Sequence, residues 1–233
     1  MNTDNTLLVP NRCNDPYLFE DIIDLTNDFR STITTLDLSK LTFIEPYSML
    51  SLLILGKLYL RNFGHKLKIE NIPLAIHQYL TRMDFFTTGV FDIKENLNDK
   101  LMLKRSSFSK RVLEITEIPN KERESVSIIS NVIGLFRKRA SHILKYWISD
   151  TIVDYFVTVI SELCQNIFEH SLDTGYVAMQ TYTLGKENTV RLVISDSGIG
   201  IKQSFLNNSN IVIDNDAELI EKAIMTPISS KRK

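Results

Sequence analysis

Apolar positions recur along this chain with two periods, and their alternation predicts an ordered series of elements. Ile33 to Leu38 reads as a buried strand. Pro46 to Asn62 follows as a helix with proline in its first turn, where the missing N–H is tolerated, and Gly64 stops it. Lys66 to Ile69 is a second short strand, Asn71 to Arg82 a second helix with Pro73 near its start, and Phe85-Phe86 a hydrophobic anchor. Strand, helix, strand, helix implies parallel pairing through crossover helices. From Asp92 to Lys110 the chain turns rich in Lys, Asn, Asp and Ser, which marks a boundary between two domains.

Beyond it, Arg111 to Ile118 alternates like a strand, with Val112, Glu114, Thr116 and Ile118 on one side and Leu113, Ile115 and Glu117 on the other; Pro119 ends it. Helical spacing runs from Glu122 to Ala140 through Val126, Ile129, Ile133 and Phe136. It returns from Asp150 to Ser171, where Ile152, Phe156, Ile160, Leu163 and Ile167 form the apolar stripe. Two strands, Gly175 to Thr183 and Val190 to Ser195, are joined by a hairpin turn at Gly185-Lys186-Glu187-Asn188. This order predicts a two-layer sandwich with helices on one sheet face. The fold class is therefore α/β (α+β): an N-terminal βαβα domain over 1-92, a linker over 93-110, and a C-terminal sandwich over 111-233. After Gly200 a polar loop is expected, then a helix from Asp216 to Met225.

Composition removes several function classes. At 233 residues with a net charge of −1, the chain has no global field that argues for nucleic acid or an acidic membrane as partner. Its most apolar run, Met49 to Leu60, is broken by Ser51, Gly56 and Lys57 and is shorter than the roughly 20 residues of a membrane span. The N-terminus has neither the positive leader nor the apolar segment of a signal peptide. Only Cys13 and Cys164 are present, at a spacing that fits no zinc ribbon or disulfide framework, in keeping with a cytoplasmic location. Cys164 reads as a small core residue.

Within the helix from Asp150, Glu162, Asn166 and His170 recur every four residues and form a polar line beside the apolar stripe. A carboxylate and an amide on one helix edge suit a metal-phosphate site: the amide oxygen is a hard ligand for magnesium, and the carboxylate can take a proton from water or a hydroxyl. The strand ending in Ser195-Asp196-Ser197-Gly198-Ile199-Gly200 places an acid able to accept an exocyclic amine beside two glycines that permit close approach. Each segment alone has an ordinary reading, as a helix surface or a turn. Their joint occurrence, in the order helix, strand, strand, carries the weight.

That arrangement resembles the N box and G1 box of the GHKL ATPase superfamily, and Ser-Glu-Leu-x-x-Asn-x-x-x-His is most similar to the small anti-sigma-factor serine kinases. The resemblance covers roughly residues 109 to 230. It implies ATP and Mg2+ as cofactors, with Asn166 as magnesium ligand, Glu162 as general base and Asp196 reading the adenine amine. It further implies that Gly198, Ile199 and Gly200 shape the floor under the base and the start of the lid. It leaves His170 either at the site's edge or packed at a helix C-terminus. Such domains continue into a glycine-rich turn and two more strands, so the sandwich reads as lacking its last strands, with an open sheet edge that invites a homodimer. Lys231, Arg232 and Lys233 read either as charge for a triphosphate or as a solvated tail.

The N-terminal string Leu36-Asp37-Leu38-Ser39-Lys40-Leu41-Thr42-Phe43-Ile44-Glu45-Pro46-Tyr47-Ser48-Met49, continuing to Gly64-His65-Lys66-Leu67-Lys68-Ile69, resembles the STAS domain of anti-sigma-factor antagonists. The resemblance implies a protein partner. STAS antagonists carry the phosphorylated hydroxyl where this chain has Tyr47, with Ser48 one residue out of place, so the phosphoswitch is not carried over. Jointly the two resemblances imply an ATP-binding regulator, a serine/threonine protein kinase of the anti-sigma-factor type in bacterial partner-switching signalling. The alternative is a non-catalytic scaffold or nucleotide sensor acting through the STAS-like domain. An autophosphorylating histidine kinase fits less well, because His142 lacks the following acid and His65 and His77 lie in the STAS-like half.

Overall fold

The computed structural model describes residues 5–13, 33–93, 111–120, 126–185, 187–208 and 215–225, together with Tyr17, Glu20, Ile22 and Asp24, which are helical. The protein is mixed α/β, with both parallel and antiparallel sheets. The segment 94–110, the tail 226–233 and the expected helix start at 122–125 lie outside the described residues.

In the N-terminal half, β1 (Thr6–Leu8), β3 (Thr35–Asp37), β5 (Lys68–Glu70) and β6 (Asp92–Ile93) form a parallel sheet in the order β1-β3-β5-β6, and β2 (Arg12–Cys13) pairs with β4 (Phe43–Ile44). Parallel pairing of β3 with β5 was legible as strand, helix, strand. The flanking β1 and β6, of three and two residues, were not. Helix α1 (Pro46–Phe63) starts on a proline and ends at Gly64, whose φ of 73° lets its N–H cap Leu60 O. Helix α2 (Leu74–Arg82) begins after Pro73, later than Asn71, which instead takes a left-handed φ of 56°. Phe85 is fully buried, as an anchor should be.

In the C-terminal half, β7 (Val112–Ile118), β8 (Gly175–Leu184) and β9 (Glu187–Asp196) form an antiparallel sheet in that order, with α3 (Val126–Leu144) and α4 (Asp150–His170) packed on one face. Helices α5 (Gly200–Asn208) and α6 (Asp216–Met225) follow and touch each other. The stretch after Gly200 is thus a helix rather than the expected polar loop.

Three further expectations are corrected. First, the sheet is not covered on one face only. Helix α1 packs on β8 and β9 from the opposite side, and one continuous core joins Leu36, Ile69 and α1 to Val112, Tyr176 and Ala178. Buried positions run around most of α1, as expected for a helix held on several sides. Second, strict alternation in β7 fails: a register shift between Leu113 and Thr116 sends Val112 into the α1 core and Ile118 into the α3–α4 core, although alternation puts them on one side. Third, the buried stripe of α4 is Val153, Val157, Ile160, Cys164, Ile167 and Phe168. Ile152 and Leu163 are 53% and 43% exposed, and with Tyr155 and Val159 they form an apolar strip facing out.

Candidate functional site

Alternation along β8 and β9 builds the site's frame. Val177, Met179, Leu192 and Ile194 point to α3 and α4, while Tyr176, Ala178 and Val193 point to α1. β8 begins and β9 ends just past the end of α4, since Gly175 pairs with Asp196. The last turn of the helix and the loop after β9 are thereby brought together across 25 residues of sequence.

Their contact is specific. Ser171 Oγ donates to Asp196 Oδ1 at 2.8 Å, the Gly198 N–H donates to the same oxygen at 2.8 Å, and the Ile199 N–H donates to Ser171 O at 3.0 Å. Asp196 is exposed, and its Oδ2 accepts no hydrogen bond among the described residues. One carboxylate oxygen is fixed and the other is presented. Gly198 is required here, because a Cβ would lie 2.2 Å from Ser171 O. Gly200 has a φ of 72°, a left-handed conformation that favours glycine, and opens α5.

On α4, Glu162 and Asn166 are exposed and His170 is half-buried. Asn166 and Glu162 sit one and two turns before His170, about 6 and 12 Å along the axis. His170 Nε2 lies 3.6 Å from Glu169 Oε2, and Glu169 also accepts from Gln165 Nε2 at 2.6 Å. A cavity of 420 Å³ between α5 and α6 is lined by residues 199–203 with Leu219 and Ile220. Of the predicted set it takes Ile199 and Gly200.

Among the described residues no group of three His, Cys, Asp or Glu side chains gathers to chelate a metal. The exposed Asn166 amide suits an ion that keeps its waters and arrives on phosphate oxygens, as magnesium does with a nucleotide. The amide is open to such an ion, and no cage of protein ligands surrounds it among the described residues.

The residues that hold this corner were missed in sequence. Asp173 Oδ1 accepts from Lys57 Nζ at 2.6 Å and its Oδ2 from Ser197 Oγ at 2.7 Å, with Arg61 3.6 Å from Oδ2. Burial alone would raise the Asp173 carboxyl, but the hydrogen bonds from Lys57, Ser197 and the Thr174 N–H outweigh it and hold the group below its ordinary value. Leu172, between Ser171 and Asp173, has a φ of 59°, a strained conformation for a non-glycine residue. One signal was available: Lys57 and Arg61 are the sole charged residues of α1, and cations on a largely buried helix need acidic partners.

Cys164 and Cys13 are buried, and burial pushes their thiols up to about 12 and about 11. Ser48 is fully buried and its hydroxyl donates to Cys13 O, which leaves it closed to a kinase. No helix among the described residues is long and apolar enough to cross a membrane. No protein-family model, curated protein or solved structure matches the chain.

Proposed function

We propose that the C-terminal half is a GHKL-type ATP-binding module and the N-terminal half a STAS-like domain that binds a protein partner. The whole then acts in the cytoplasm as a bacterial partner-switching regulator, a serine/threonine protein kinase of the anti-sigma-factor type. The observation that carries the reading is the junction of α4 with the loop after β9, where Ser171 fixes one oxygen of Asp196 and leaves the other presented. In this reading Asp196 accepts the adenine amine, and Gly198, Ile199 and Gly200 form the floor under the base and the start of the lid. Asn166 holds the magnesium ion, and His170 lines the edge. Magnesium-ATP, when bound, supplies the γ-phosphoryl group and neutralises its charge. Glu162 takes the proton of the partner's serine or threonine hydroxyl. The exposed Val159 and Leu163 offer apolar surface beside these polar groups. β9 is one of the two edge strands of its sheet among the described residues, and its edge is where a homodimer would form.

A non-catalytic scaffold or nucleotide sensor is favoured by one observation. Glu162 and Asn166 are exposed, and no hydrogen bond among the described residues orients either one. Calorimetric titration of ATP and magnesium separates the readings in stages. Magnesium-dependent binding by the wild type, weakened about tenfold or more in Asn166→Ala, supports the module; absence of binding by the wild type overturns it. Binding without transfer of the γ-phosphoryl group to any added partner favours the sensor.

A further inference from the structure

The loop that presents Asp196 is gripped from the other half of the molecule. Lys57 and Arg61, four residues apart, lie on the side of α1 that meets the end of β8. Lys57 Nζ donates to Asp173 Oδ1 at 2.6 Å and to Thr174 O at 2.8 Å, and also reaches the Thr174 hydroxyl. Arg61 Nη1 donates to Ser197 O at 3.2 Å and lies 3.6 Å from Asp173 Oδ2, the oxygen that accepts from Ser197 Oγ. Ser197 is therefore held through both its carbonyl and its hydroxyl, and it stands between Asp196 and Gly198. The turn at Leu172 completes the grip. Its strained φ of 59° separates Ser171, which bonds Asp196, from Asp173, which bonds Ser197 and both cations. Adjacent residues of one loop are thus fixed by the end of α4 and by α1 together.

We infer that Lys57 and Arg61 are positioning residues for the candidate base site: acting through Asp173 and Ser197, they set the loop 196–200 so that Asp196 is aimed at an exocyclic amine. Through this grip the state of the N-terminal half, including any partner bound to it, acts on nucleotide selection. The inference rests on the nucleotide reading above, but the grip itself is measurable without ligand. A displaced α1 would release Ser197 and with it the aim of Asp196, so the affinity lost is chiefly the part that depends on the amine.

The first arm follows hydrogen exchange at the Gly198 and Ile199 amides in the full chain, comparing wild type, the double variant Lys57→Met/Arg61→Met, and Asp173→Asn. Exchange at these two amides is expected to accelerate about tenfold or more beyond any change at the β8 amides, with Lys57→Arg keeping the wild-type protection. Equal loosening of β8 and the loop assigns the cations a purely structural role and overturns the inference; so does an unchanged loop. The second arm titrates magnesium-ATP and magnesium-ITP, which lacks the amine. The wild type is expected to prefer ATP by about tenfold to a hundredfold, the worth of one hydrogen bond to a charged group, and the double variant to lose that preference while keeping its ITP affinity. Retention of the full preference by the double variant overturns the inference. Absence of nucleotide binding by the wild type, with the loop loosened in the first arm, sinks the ATP reading and the selectivity role while leaving the grip established.

Discussion

The three-stranded sheet is covered on both faces, and the two covers are chemically different. Toward α3 and α4 the contact is apolar apart from the Arg139–Glu114 ion pair: Leu113, Ile118, Val177 and Met179 meet Ile143, Val157, Ile160 and Phe168. Toward α1 and α2 a smaller apolar centre of Val112, Tyr176 and Ala178 is ringed by polar links. Lys57 meets Asp173, Tyr79 OH donates to Gln180 Oε1 at 2.6 Å, Arg191 pairs with Glu45, and Glu114 is held between Arg82 and Arg139. Apolar centre and polar rim is the anatomy of an interface, whereas the first face is that of a core. The contrast teaches that the N-terminal half is docked, and that its docking contacts end at the loop of the candidate site.

Four substitutions probe this contrast, in falling order of effect. Phe168→Ala opens the α3–α4 core and should cost about 3–5 kcal/mol in urea unfolding, with the midpoint falling alike by far-UV dichroism and by fluorescence of Trp147, the single tryptophan. Separate shifts by the two probes would show that the halves unfold independently. Glu114→Gln should cost about 2–3 kcal/mol, because the buried carboxylate loses its charge-assisted contacts with Arg82 and Arg139 while the two partly exposed arginines are left beside each other. Burial alone would raise the Glu114 carboxyl, but Arg139 and Arg82 hold it below its ordinary value.

Asp173→Asn should cost about 2 kcal/mol near neutrality and nothing in acid. The folded carboxyl titrates below its ordinary value of 3.8, so its contribution is complete above that value and is lost as pH falls through the folded one. Stability curves of wild type and variant should therefore converge on acidification; parallel curves would refute the ion pair. Ile152→Ala should change stability by less than about 0.5 kcal/mol, because Ile152 is 53% exposed on α4. A loss of 2 kcal/mol or more would place it in a core, as the sequence pattern alone suggests.

Much of the element order was legible, for identifiable reasons. Helix α1 announced itself through Pro46 and Gly64, and α6 matches its expected bounds of Asp216 to Met225. The strands β8 and β9 followed from alternation around a turn at Gly185, whose φ is 64°. Period alone could not choose between two overlapping apolar sets on α4, because Ile152 and Leu163 extend the stripe from Ile160 and Ile167 as well as Val153 and Cys164 do. Nor could it show the bulge in β7, where local alternation gives way to two different cores. At the site, Asp196, Gly198 and Gly200 stood out by type, and the structure gives Asp196 and Gly198 specific contacts. Asp173 and its partners did not stand out. Lys57 lies 116 residues away, and only the packing of α1 on the sheet joins them.

In the proposed reading, the exposed line of α4 and the loop after β9 form one nucleotide site. Amide hydrogen exchange mapped with and without magnesium-ATP tests it directly. The last two turns of α4, around Asn166 and His170, and the segment 196–200 are expected to gain protection together, and Asp196→Asn to weaken both gains. Protection confined to one of the two segments, or to neither, would contradict it.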